Sequence, residues 1–253
     1  MYFKKHLRPV LSIPPELISV FQKFWSNKLL SPTLKMKLTI NRVKTALKKD
    51  KTKIFCIGRN KTGTTSLHHA MKSLGYITGN QLYAETLHDQ WLQDDLSDLL
   101  KYCHTAQFFQ DVPFSLPNYF KIFDAHFPNS KFILTVRDSP EQWYESLTRF
   151  HSKLWGVNGQ LPTVHDLQNT SYVTKGFAWE VNKKLYGDTE SPYDRTTLLE
   201  AYSRHNEEVI SHFASRPEQL LVLNVSDESA PYELTSFLNC PTKLEIFPWE
   251  NKT

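Results

Sequence analysis

Residues 53–67 read KIFCIGRNKTGTTSL, and the order of residue types in this stretch decides the fold. KIFCIG (53–58) is a short apolar run that ends in glycine, the pattern of a buried strand. TTSLHHAMKSL (64–74) then sets Leu67, Met71 and Leu74 on one helical face, with Gly75 as the stop. Between them lie Gly58 and Gly63, two of only 8 glycines in the chain. A glycine turn between a strand and a helix gathers backbone N–H groups and a helix N-terminus around a point in space, which is how a loop holds a phosphate. An ordinary connection needs neither glycine, so the context favours an anion site.

Working outward, the same alternation continues. AQFFQD (106–111), KFILTV (131–136) and LLVLNV (220–225) are further apolar runs. Helical patterns are expected near 90–102, over 116–126, over 140–154 behind Pro140, over 196–215 and over 232–238, while 156–195 reads as loop with short helices. Continuous apolar strands separated by helices imply a parallel sheet covered on both faces, a three-layer α/β/α fold. Ligands of such sheets bind beyond the carboxyl ends of the strands. The residues after positions 57, 111 and 136 are therefore expected to face one crevice.

The chain has 253 residues, 40% hydrophobic and 22% charged, with 3 cysteines. That composition excludes a wholly disordered chain, a collagen and a disulfide scaffold, and no apolar run reaches the roughly 18 residues of a membrane span. The net charge of +4 is unevenly spread. Residues 1–53 carry 13 Lys and Arg against Glu16 and Asp50, and the rest of the chain is net acidic. This argues against a nucleic-acid-binding body and for a basic extension, residues 1–52, ahead of a main domain, residues 53–253. Within the extension, Leu17, Val20, Phe21 and Phe24 form one helical stripe, and Met36, Ile40, Val43 and Leu47 a second one flanked by lysines. Such helices either lie on an anionic membrane surface or pack their apolar faces on the main domain. Pro14, Pro15 and Glu16 interrupt the first apolar stretch, so it is not read as a signal peptide. Cys56, Cys103 and Cys240 follow no metal-ligand spacing and are expected to be reduced thiols. The expected location is cytoplasmic, with peripheral membrane attachment through the extension as an option.

The position of the lysine separates two kinds of phosphate loop. A nucleoside-triphosphatase loop places lysine directly after the second glycine, followed by a hydroxyl that holds magnesium. Here Thr64 and Thr65 follow Gly63, and Lys61 precedes it. Lys61-Thr62-Gly63-Thr64-Thr65-Ser66-Leu67 resembles, without a gap, the 5′-phosphosulfate loop of the sulfotransferases that use 3′-phosphoadenosine 5′-phosphosulfate (PAPS). The likeness is greatest to heparan sulfate N-sulfotransferases. It implies a phosphate-loop sulfotransferase fold, a cradle of Thr62, Gly63, Thr64, Thr65 and Ser66, and contact of Lys61 with the oxygen that bridges phosphorus and sulfur. KFILTVRDSPEQWYESL (131–147) is similar to the family's 3′-phosphate site and implies that role for Arg137 and Ser146. Their separation is one residue longer than usual. The likeness spans residues 53 to 253 and includes the ending FPWENKT, but the arginine-lysine-glycine closing segment of the cytosolic enzymes is absent. Lys243 or Lys252 is the expected stand-in.

Sulfuryl transfer needs a base beside the acceptor and a cation at the leaving oxygen. Asp111, at the end of the FQD strand and before Pro113, matches the position where cytosolic relatives carry histidine. It is the candidate base, with helix capping or orientation of Lys61 and Arg137 as the structural alternative. His104 and His151 are reserve bases. His68, His69 and His205 are read as solvent-facing or structural. Arg59 adds positive potential, and Trp155, Tyr172, Trp179, Tyr186 and Tyr193 either line an acceptor pocket or form core. The expected function is transfer of a sulfuryl group from PAPS to a hydroxyl or amine without a metal, leaving adenosine 3′,5′-bisphosphate (PAP). The rivals are a phosphate-loop kinase or nucleotide hydrolase, and a non-catalytic nucleotide-fold module held to a membrane or anionic glycan.

Overall fold

A computed structural model describes residues 31–242 and 244–248. The helix expected over 15–28, Lys243 and Lys252 lie outside the described residues. Contacts divide the chain into residues 1–36 and residues 37–253. Of the first unit only 31–36 are described, and they open helix α1 (Pro32–Leu47).

The second unit is built on four parallel strands: β1 (Ile54–Cys56), β2 (Phe108–Phe109), β3 (Lys131–Thr135) and β4 (Leu220–Leu223), in the order β2-β1-β3-β4. Register places Ile54 beside Phe108 and Lys131, and Ile133 beside Leu221. β1 is central and buried on both sides, which is why its sequence is uninterruptedly apolar. Alternate residues feed two cores. Phe55, Ile57, Phe109, Phe132 and Leu134 face one, and Ile54, Cys56, Phe108, Ile133 and Leu223 face the other. Phe55 is the hub of the first, with its ring stacked 4.7 Å from Phe123 and 5.6 Å from Phe132. A phenylalanine buried this fully contributes about 2–3 kcal/mol by leaving water.

Helix α2 (Thr64–Ser73) packs Leu67, Ala70 and Met71 into the second core and ends ahead of Gly75, whose φ is +83°. The helix expected near 90–102 is broken into α4 (His88–Trp91) and α5 (Ser97–Tyr102), and a helix that was not expected, α3 (Gln81–Thr86), precedes them. Asp94 interrupts it at φ +61°. Its carboxylate accepts from Tyr119 at 3.0 Å and from Lys184 at 2.7 Å, long-range bonds that local propensity does not encode. Helix α6 (Tyr119–His126) starts later than expected because Asn118 is left-handed, at φ +64°. Helix α7 (Pro140–Leu154) matches its pattern to the residue. The Ser139 hydroxyl accepts from the Gln142 amide at 3.1 Å, and Pro140 occupies the first turn. The loop-like stretch holds α8 (Val164–Asn169) and α9 (Phe177–Tyr186). α10 (Arg195–His212) and α11 (Ala230–Phe237) complete the domain. Trp143, Leu147, Leu167, Trp179, Leu198 and Tyr202 form a third core among α7 to α10.

Candidate functional site

Three strand ends converge on one crevice. β1 runs into the loop 58–63, β2 into Asp111 and β3 into Arg137. The Thr64 hydroxyl lies 3.5 Å from the Asp111 carboxylate, and the Arg137 Nε donates to the Lys61 carbonyl at 2.7 Å. The ends of β1, β2 and β3 thus bring Lys61, Thr64, Asp111 and Arg137 together.

The loop is held by packing and by hydrogen bonds. A Cβ on Gly58 would lie 2.1 Å from the Thr135 hydroxyl, so β3 closes on the backbone there. Gly63 is left-handed at φ +94°, and a Cβ on it would meet Val225 at 2.2 Å. Both positions exclude side chains. The Thr62 hydroxyl is buried against the Arg59 carbonyl and the Thr135 hydroxyl, at 2.5 and 2.6 Å. Of Thr62, only the backbone therefore faces the cradle. Trp143 donates from its indole to the Asn60 carbonyl at 3.0 Å. His205 bonds the Ile57 carbonyl at 2.8 Å, which fixes the last turn before Gly58. Burial holds the His205 imidazole well below its ordinary value, so it is a neutral donor and a structural part.

Helix α2 begins at Thr64 with no side-chain cap, and its first backbone bond runs from Leu67 to Gly63. The amides of Thr64, Thr65 and Ser66 thus point out of the helix start with no helical acceptor, which is the arrangement that binds an anion. On α7, Ser146 is buried, and its hydroxyl makes no hydrogen bond among the described residues. It is one of nine such side-chain atoms among the described residues, and a phosphate oxygen is a fitting partner for a serine hydroxyl. Arg137 adds the charge. Of its guanidinium, only Nε is engaged among the described residues, and its backbone amide is held by the Tyr202 hydroxyl at 3.1 Å.

Lys61 is left-handed at φ +67°, and its ammonium lies 3.9 Å from the centre of the Phe150 ring. Burial and the nearby Arg137 hold its pKa below the ordinary lysine value, while Asp111 pulls it the other way. Asp111 is left-handed at φ +62° and precedes a cis Val112–Pro113 bond. One carboxylate oxygen accepts the Val112 amide at 2.9 Å. It does not cap α6, which starts behind Asn118. Burial raises the Asp111 pKa against the lowering effects of the Val112 amide, the Thr64 hydroxyl and Lys61. The group is thus moved toward a useful base.

Glu85 was not among the residues expected here. It is buried on α3, accepts from Gln81 at 3.2 Å, and is pushed up to about 8, first by burial and then by Asp111. Its only mark in the sequence is a carboxylate in step with the buried Ala84, His88 and Trp91. Tyr172 and Tyr186 also feel Asp111. Both phenols are raised mainly by burial, and that of Tyr186 reaches about 12. The remaining aromatics, Trp155, Trp179 and Tyr193, belong to the third core.

The reserve bases separate. His151 lies close enough to Lys61 to feel its charge, but it is buried against the Tyr193 hydroxyl at 2.9 Å and pushed down to about 3, too weak for a base. His104 corrects the expectation. It precedes β2, so it stands at the amino end of a parallel sheet and not at the crevice. On α2, His69 is exposed, and His68 packs against Phe108 of β2. Arg59 is fully buried, donates to the Ser115 carbonyl at 2.5 Å, and is lowered to about 10 by desolvation.

Comparison with known proteins adds one finding. The family model described as a sulfotransferase domain matches residues 53–253. A search of curated proteins finds no match.

Proposed function

The chain belongs to the sulfotransferase domain family, and from that premise we propose that it moves a sulfuryl group from PAPS to an acceptor hydroxyl or amine. The observation that carries the donor assignment is the bond from Arg137 to the Lys61 carbonyl, 2.7 Å long. It joins a cationic fork to a phosphate loop, as a nucleotide with phosphates at both ends of its ribose requires. The buried, unpartnered Ser146 hydroxyl and the open amides of Thr64, Thr65 and Ser66 fit the same ligand.

PAPS supplies a sulfur made electrophilic by a phosphate leaving group. Every other part of the chemistry falls to the chain. The α2 amides and Lys61 hold the 5′ end, and Arg137 and Ser146 hold the 3′-phosphate. Asp111 takes the proton of the acceptor as the new bond to sulfur forms. The electron pair of the broken sulfur–oxygen bond stays on the phosphate, beside Lys61 and the helix N-terminus. Burial pushes Glu85 up to about 8, which favours its neutral form beside Asp111.

Calorimetry with PAP and with ATP tests the donor. PAP is expected to bind without magnesium and ATP to bind weakly. Absence of PAP binding, or tight magnesium-dependent ATP binding, would overturn the proposal in favour of a non-catalytic module or a kinase. Incubation with PAPS and fractionated acceptor pools, read by mass as an added sulfate, then tests the transfer. Lys61→Ala is expected to retain the fold and lower turnover by about 10²–10³, the usual effect of removing one charge-stabilising donor. Unchanged turnover would reject the role given to Lys61.

A further inference from the structure

Helix α1 turns the wrong way for a helix that merely packs on a domain. With about 100° between successive residues, Leu38, Asn41 and Thr45 share one face. That face meets the domain. Leu38 packs on the first core, Asn41 is half-buried, and the buried Thr45 hydroxyl donates to the Thr105 carbonyl at 3.4 Å. At the helix end Lys48 donates to the Gly75 carbonyl at 3.1 Å. The opposite face carries Ile40, Val43 and Leu47, which are 45%, 54% and 79% exposed. Met36, one turn earlier on the same line, is exposed as well. The docked face is thus a mixed one of Leu38, Asn41 and Thr45, and the apolar stripe is outermost. Lys37 and Lys44 border the stripe on one side, and Arg42 lies on the other flank, nearer the docked face; all three are exposed. Residues 32–49 contain 6 Lys and Arg and no acid.

From this juxtaposition we infer that α1 is a docking face for an anionic lipid bilayer. Ile40, Val43 and Leu47 enter the boundary between headgroups and acyl chains, and Lys37 and Lys44 beside them reach lipid phosphates. Charge decides the occupant. A second copy docked through the same stripe would set one basic helix on another. Residues 1–30 are themselves basic, with Lys4, Lys5, Arg8, Lys23 and Lys28 against Glu16. An anionic plane complements the border, and neither alternative does. The contact is peripheral, since no helix among the described residues is long and apolar enough to cross a membrane. It also has a direction. Thr105 precedes β2, and Gly75 follows the far end of α2, so α1 lies at the amino end of the sheet. The crevice at the carboxyl ends faces away from the lipid and stays open to donor and acceptor.

Sedimentation of the full chain with vesicles tests this. Vesicles of phosphatidylcholine with about one-third phosphatidylserine should pellet the protein at about 0.1 M salt, and pure phosphatidylcholine should not. The double variant Lys37→Gln/Lys44→Gln should weaken binding about thirtyfold, at about 1 kcal/mol per basic residue. Ile40→Ser/Val43→Ser should release the protein while leaving PAP affinity unchanged. Equal recovery on both vesicles, no recovery on either, or variants that bind like the parent would overturn the inference. So would a parent dimer that Val43→Ser dissolves, because the stripe would then be a contact between copies.

Discussion

Ser146→Ala gives the sharpest test of the nucleotide site, because its two effects have opposite signs. The Ser146 hydroxyl is buried on α7 and unpartnered within the protein. Leaving such a group unsatisfied costs about 1–3 kcal/mol, and alanine is about 0.5 kcal/mol the better helix former. The ligand-free variant should therefore gain about 1 kcal/mol, a rise in Tm of about 2–4 °C for a domain of this size. The same hydroxyl donating to a charged phosphate oxygen is worth about 1.5–3 kcal/mol. PAP affinity should accordingly fall about 10- to 150-fold. At a PAP concentration near a hundred times the parent Kd, the ligand stabilises the parent by about 2.7 kcal/mol and the variant by about 1.3 kcal/mol or less. Thermal melts with and without PAP read both effects in one experiment, and calorimetry gives the affinities. A serine that only supports the fold would behave in reverse. A lower ligand-free Tm with unchanged PAP affinity would refute the reasoning and remove Ser146 from the site.

Two further expectations concern the carboxylates. Asp111→Asn should keep PAP binding and lose transfer. The parent's kcat/KM should rise with pH as Asp111 ionises, with an inflection above the ordinary aspartate value because burial raises this group; a profile flat down to that ordinary value would argue against it as the base. Glu85 has an ordinary value of 4.5 and a folded value of about 8. Between these the unfolded chain has released a proton that the folded chain keeps, so this group's contribution to stability falls as pH rises. Glu85→Gln should therefore stabilise the protein at pH 7, by on the order of 3 kcal/mol, and flatten the decline in Tm from about pH 5 to 8. Parallel melting curves for parent and variant across that range would show Glu85 to be ionised in the folded state.

The residues that were legible in the chain are those whose neighbours in sequence are also their neighbours in space. The turn 58–63 lies between its own strand and its own helix, so glycine spacing and periodicity suffice to read it. α7 carries its start signal in Ser139 and Pro140 and its buried stripe in Trp143 and Leu147. The parallel sheet follows from apolar runs too continuous to be half-exposed. Together these place Lys61, Asp111 and Arg137 at one end of the sheet from the order of residues alone.

Long-range packing decided the rest. Which hydroxyls face the ligand depends on partners far along the chain. Thr62 is consumed by Thr135, 73 residues away, while Ser146 is left without one. The break at Asp94 exists because Tyr119 and Lys184 come to meet it. Glu85 becomes a neutral acid only through burial beside Asp111, since a carboxyl's ionisation depends on the water it has lost and on charges that folding brings near. The amphipathic period of α1 was plain in its residues, but a period has two sides. Only the docking of Leu38 and Thr45 on the domain turned the apolar one outward.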